Sequence, residues 1–227
     1  MLMISFALFS GCSHPVTDRG EQKENTIGSG WMDYYILRAC LADEVSISAH
    51  FQTQSWGGPH LIIHFTGKEL NSDDLAYLRK AVGDVSKICP HGDFEPTPCF
   101  ITNKIRSIEV ISTNDFNDIP AGNSIASKLT FLSGAVLPSI VNKSYDIETD
   151  PETDKYFWSV YYISPSCTPL IAPLFEINPD DLYLLDSRRT FIFFNELPEV
   201  KEHTFTVTFK GEDFCFSDRI SVNFGEI

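Results

Sequence analysis

Near the end of the chain, apolar and polar side chains alternate without a break. Phe205, Val207 and Phe209 fall on one side of residues 203–210, and Thr204, Thr206 and Thr208 on the other. A period of two marks a strand with one dry face. Gly211-Glu212-Asp213 then supplies a turn, and residues 214–224 form the second arm of a hairpin. The same period runs through residues 44–54, where Val45, Ile47, Ala49 and Phe51 oppose Ser46, Ser48, His50 and Gln52. Shorter extended runs lie at 33–39, at 60–66 after a Gly57-Gly58-Pro59 turn, at 104–112, at 156–164 and at 190–194. Within 104–112 the apolar positions Ile105, Ile108 and Val110 slip by one, the mark of a bulge.

One segment has helical spacing instead. Leu75, Leu78, Val82 and Val85 make a single stripe, with Ser72 as N-cap, Asp73 and Asp74 at the positive end of the dipole, and Pro90 beyond the end. This predicts a helix over 72–88. Asn178 followed by Pro179 predicts a shorter one over 178–186. Residues 114–123 are turn chemistry, 129–141 show no clear period, and a Pro-rich stretch follows residue 164. Strands dominate, so the expected fold is mainly β: an immunoglobulin-like β-sandwich over residues 31–227 with one or two accessory helices. The acidic stretch at 146–154 is where two sub-domains would divide.

The first thirty residues do not fit that body. Residues 1–9, MLMISFALF, are apolar but too few to cross a bilayer, which takes about 20. They suit the apolar core of a signal peptide over residues 1–11, ending at the small residues Ser10 and Gly11. Cys12 would then become the first residue of the exported chain and carry lipid. This resembles the lipobox of bacterial lipoproteins, with Phe9 standing where Leu is usual and no Lys or Arg ahead of the apolar run. Residues 13–30 hold only Val16 and Ile27 as sizeable apolar side chains, so 12–30 reads as a flexible tether behind the lipid. Ser13, rather than Asp, after the cysteine implies the outer membrane by resemblance to lipoprotein sorting. The expected location is the cell envelope, with the membrane as a partner through Cys12.

The charge narrows the remaining partners. The 227-residue chain carries a formal net charge of −14. That surface repels phosphate backbones and anionic lipid, so no nucleic-acid partner is expected and membrane attachment must be covalent. An exported compartment permits disulfides. Setting Cys12 aside leaves Cys40, Cys89, Cys99, Cys167 and Cys215. Cys89 and Cys99 bracket a loop rich in Pro and Gly, and are the expected bridge. A second bridge could join two of Cys40, Cys167 and Cys215.

Residues 104–125, KIRSIEVISTNDFNDIPAGNSI, join an alternating strand to an Asp-Phe pair and then Pro-Ala-Gly and a small polar residue. With the closing HTFTVTFKGEDF hairpin and the lipid cysteine, the chain resembles uncharacterised lipoproteins of gut Bacteroidales grouped as a domain of unknown function. The resemblance implies an envelope location and a β-rich domain. It transfers no activity and no functional residue.

Candidate chemistry is sparse. Asp146, Glu148, Asp150 and Asp154 space carboxylates two apart and could hold calcium, although no glycine provides an EF-hand turn. Beyond this possible calcium, no cofactor is expected. His60 and His64 share a strand face and would need a third metal ligand from elsewhere. Trp31, Trp56, Tyr161 and Tyr162 could form a platform for sugar rings. No GxSxG, phosphate loop, GxGxxG or CxxC occurs. The expected function is a non-enzymatic binding or accessory module meeting an unidentified protein or glycan. The alternatives are a carbohydrate-binding lipoprotein of a glycan-uptake system and an envelope hydrolase.

Overall fold

The computed structural model describes residues 34–50, 58–84, 98–142 and 167–226. The leader, the tether, the run at 156–164 and the acidic stretch at 146–154 lie outside them. The fold is mainly β. It opens with an antiparallel hairpin of β1 (Arg38–His50) and β2 (His60–Glu69), in register from Cys40 opposite Glu69 to His50 opposite His60. Strand β1 thus joins the end of the expected run at 33–39 to residues 44–50 of the run at 44–54, with a register shift between Ala42 and Glu44; residues 51–54 lie outside the described residues.

The helix α1 (Ser72–Val82) follows. Its N-cap is Asn71, not Ser72: the Asn71 Oδ1 accepts from the N–H groups of Asp73 and Asp74, each at 3.0 Å. It ends at Gly83, with φ of 76°, well before Pro90. Asp84, fully buried, turns back and accepts from Tyr35 N–H at 3.1 Å and Ile36 N–H at 2.9 Å. Arg79 Nε donates to Ile36 O at 2.7 Å. The C-terminal end of α1 thus fixes the approach to β1.

The chain continues through β3 (Cys99–Ile101), β4 (Ser107–Ser112), β5 (Leu129–Ala135), α2 (Val136–Asn142) and β6 (Thr168–Pro173). A 3₁₀ turn (Pro179–Asp181) capped by Asn178 stands where a short helix was expected. Then come β7 (Leu185–Phe194), β8 (Glu202–Lys210) and β9 (Cys215–Asn223).

Two sheets result. One is a meander, β4-β8-β9, fully antiparallel. The other is six-stranded in the order β2-β1-β3-β7-β5-β6, and β2 also pairs with β7, so four of its strands close into a small barrel. The β1–β3 pair is parallel. This corrects the immunoglobulin-like expectation, which calls for two open antiparallel sheets. The reason lies in β7: over one edge it offers Asp186 to β3 and residues 190–193 to β2.

The larger core lies between the sheets. Leu61, Ile63, Phe65, Phe131 and Ile192 meet Val110, Phe205, Val207 and Phe209 there. Phe65 and Phe209 pack edge to face at 5.0 Å between centroids. A second core covers the other face of the six-stranded sheet, where Leu78 of α1 and Val136 and Ile140 of α2 join Phe100, Leu132, Phe191 and Phe193. All seven residues of β5 are buried.

Candidate functional site

The bulge in β1 opens a groove on the surface. At Ala42 the strand loses its regular ladder, and the side chain of Asn103 replaces it. Asn103 Oδ1 accepts from Ala42 N–H at 2.7 Å, and Asn103 Nδ2 donates to Ala42 O at 3.1 Å. The side chain is nearly buried, so both bonds are shielded from water. Beyond this clamp the chain leaves β3 and opens a groove against the β8–β9 turn.

The groove has a volume of about 580 Å³ and is lined by Leu41, Ala42, Asp43, Thr102, Asn103, Lys104, Glu212, Asp213, Phe214 and Phe216. Phe214 and Phe216 stack at 4.7 Å between centroids, with 23° between planes. Gly211 makes this stacking possible: a Cβ there would stand 2.0 Å from Cε1 of Phe214. Leu41 adds an exposed apolar side chain. Around them stand Asp43, Glu212 and Asp213, with Lys104 as the lining cation; its Nζ lies 5.2 Å from the centre of the Tyr183 ring. The site therefore offers an apolar floor inside a mostly acidic rim.

A Ser-His contact occurs elsewhere. Ser112 Oγ lies 2.7 Å from His203 Nδ1, and His203 Nε2 lies 2.9 Å from Val200 O. The carbonyl can only accept, so Nε2 carries the proton and Ser112 donates to Nδ1. The arrangement differs from a nucleophile and base in two respects. Ser112 is 1% exposed, and the group orienting the imidazole is a carbonyl rather than a carboxylate. His203 lies parallel to Phe205 at 5.3 Å, and burial lowers its pKa. The pair serves as a satisfied polar plug at the margin of the core.

The structure separates the two histidines of β2. His60 is buried against Phe191 and Phe193, its Nδ1 2.8 Å from Gly58 O, and burial lowers its pKa to about 4. His64 is exposed. No group of three or more potential metal ligands occurs among the described residues. The calcium candidates Asp146, Glu148, Asp150 and Asp154 lie outside them, as do Trp31, Trp56, Tyr161 and Tyr162, and Cys12.

Cys89 also lies outside the described residues. Cys99, its expected partner, is a free thiol, and no disulfide joins the described cysteines Cys40, Cys99, Cys167 and Cys215. The thiol beside Cys99 is that of Cys40, on the neighbouring strand and lining the same cleft. That contact had no signal in the sequence, because it depends on the parallel pairing of β1 with β3. The Phe214–Phe216 platform did have one: the terminal hairpin was legible, and so was its turn.

No family model, curated protein or solved structure matches this chain.

Proposed function

We propose that this chain is a lipid-anchored protein of the cell envelope, held at the outer membrane by acyl chains on Cys12, whose globular body acts as a non-enzymatic binding or accessory module. The groove carries the binding half of this reading. Its volume of about 580 Å³ falls in the range that takes small ligands, and it combines an apolar floor with a few converging polar groups. The apolar leader ending in Ser10-Gly11-Cys12 supports the anchor. The mainly β body, whose larger sheet closes in part on itself, agrees with the β-rich envelope domain that the resemblance to Bacteroidales lipoproteins implies.

Fractionation tests the anchor. Cys12→Ser should move the protein from membranes to the soluble fraction and abolish labelling by a radioactive fatty acid. A wild-type chain that takes up no fatty acid, with a variant that stays on membranes, overturns it. A second reading, carbohydrate binding, draws on the stacked Phe214 and Phe216, because aromatic faces accept the C–H surface of sugar rings. A glycan array probed with the protein lacking its leader tests this reading. Binding that Phe216→Ala abolishes supports it, and an array on which the wild-type protein binds nothing counts against it. The buried Ser112 hydroxyl gives the hydrolase alternative no comparable support.

A further inference from the structure

We propose that Cys40 and Cys99 form a redox-active thiol pair that passes to a disulfide by exchange with a disulfide-bearing small molecule or protein at the cleft beside Arg38 and Arg188. The proposal goes beyond the binding groove and is independent of it.

The backbone brings the two together. In the parallel β1–β3 pair, Arg38 stands opposite Cys99 and Cys40 opposite Ile101. Arg38 and Cys40 are two apart and so share a face, which puts Cys40 and Cys99 on the same face as diagonal neighbours. The two thiols are the nearest titratable influence on one another. Both line a cleft of about 150 Å³, together with Arg38, Glu69, Gly67 and Arg188. Gly67 is required here: a Cβ at that position would meet Leu41 O at 2.1 Å.

The two sulfurs are unequal. Cys40 is 5% exposed, whereas Cys99 is only half-buried. The neighbouring Cys40 thiol lowers the pKa of Cys99, with the Arg38 charge adding to this and burial opposing it; Cys99 and burial push that of Cys40 up. Arg38 is held in place by Glu69, at 2.7 Å from Nε and 3.1 Å from Nη2. Cys99 is thus the attacking thiol and Cys40 the resolving one. Beside them Asp186, paired in the ladder with Phe100, is buried with its Oδ2 lacking a hydrogen-bond partner among the described residues.

The exchange balances as follows. The Cys99 thiolate attacks one sulfur of the incoming disulfide; that S–S bond breaks, and its second sulfur leaves and takes a proton. Cys40 loses its proton, and its sulfur displaces the first sulfur from Cys99, which leaves as a thiol. Two protein thiols are oxidised and one partner disulfide is reduced to two thiols. The same exchange run backwards returns both thiols, so the pair opens again when reducing thiols are supplied.

Glutathione redox buffers applied to the full-length protein test this, with thiols trapped by a maleimide and peptides mapped without reduction. Cys40 and Cys99 should convert together to a Cys40–Cys99 linkage and return to thiols as reduced glutathione is restored. Cys40→Ser should leave Cys99 as a stable mixed disulfide with glutathione, and Cys99→Ser should leave Cys40 unmodified. Two reactive thiols in fully oxidising buffer, or a Cys89–Cys99 linkage in place of this one, overturn the proposal. A Cys40–Cys99 bridge that reduced glutathione cannot open in the native protein overturns the exchange step. Cys89→Ser, which keeps both thiols of the pair, should behave as the wild type.

Discussion

The two sheets solve the same problem with different materials. The β4-β8-β9 meander has one face in the core and the other in water. On β8 and β9 that wet face carries opposed hydroxyls, Thr204 with Ser221 at 3.0 Å and Thr208 with Ser217 at 3.2 Å. Each of those groups has water to fall back on. The six-stranded sheet is covered on both faces along β5 and most of β7 and joins strands where the ladder is incomplete, so it relies on buried polar clamps: Asp84 at the entry to β1, Asn103 at the bulge, and Ser133 with Thr190 between β5 and β7 at 2.8 Å. A buried polar group that loses its partner has no solvent to replace it. The closed sheet should therefore be the more sensitive to loss of a hydroxyl, amide or carboxylate, and the meander to loss of a ring.

The sharpest test is Asp84→Ala, which strands the Tyr35 and Ile36 amides and should cost about 3 kcal/mol in urea unfolding. Asn103→Ala should cost about 2–3 kcal/mol for the same reason. Losses below about 0.5 kcal/mol in both would break the comparison.

Acid should come next. Because the folded pKa of His60 lies near 4, below the ordinary value of 6.5, the unfolded chain binds the proton more readily. Stability from this group is complete above pH 6.5 and falls as the pH drops towards 4. About 2 kcal/mol should be lost by pH 5. His60→Gln should flatten that part of the profile, and His203, shifted in the same direction, should account for what remains. An unchanged slope in His60→Gln would place the titration elsewhere. Smaller still, Thr190→Val removes the partner of Ser133 and the donor to Asp186 O, and should cost about 1–2 kcal/mol. Thr206→Ala on the wet face of β8 should cost under about 0.5 kcal/mol by the same unfolding curve.

The contrast also explains which parts could be read from the sequence. β8 was legible because half of its side chains face water and alternate. β5, LTFLSGA, gave no period because every position is buried, so the alternation that signals a strand vanishes. β6 was hidden by Pro169 and Pro173; among the described residues it pairs with β5 alone, at the edge of the sheet, where a missing donor is tolerated. The bulge at Ala42 split one strand into two apparent ones. The groove could be seen only in part: its Phe214 and Phe216 belong to a legible hairpin, but Asn103 acts through a contact that no local pattern encodes. Cys40 and Cys99 were counted without being paired, since their meeting needs the closed topology.

The edge of β1 beyond the bulge, unpaired among the described residues, is met by Asp218 of β9. Its Oδ2 accepts from Ile47 N–H at 2.8 Å, an amide on the side of β1 facing away from β2. A row of such amides is a template on which a second chain can add a strand. Here a carboxylate from β9 occupies the template and sets a negative charge in the path of any arriving backbone carbonyl. Asp218→Ala, which uncovers that amide, should appear in light scattering of concentrated samples before it appears in any melting curve.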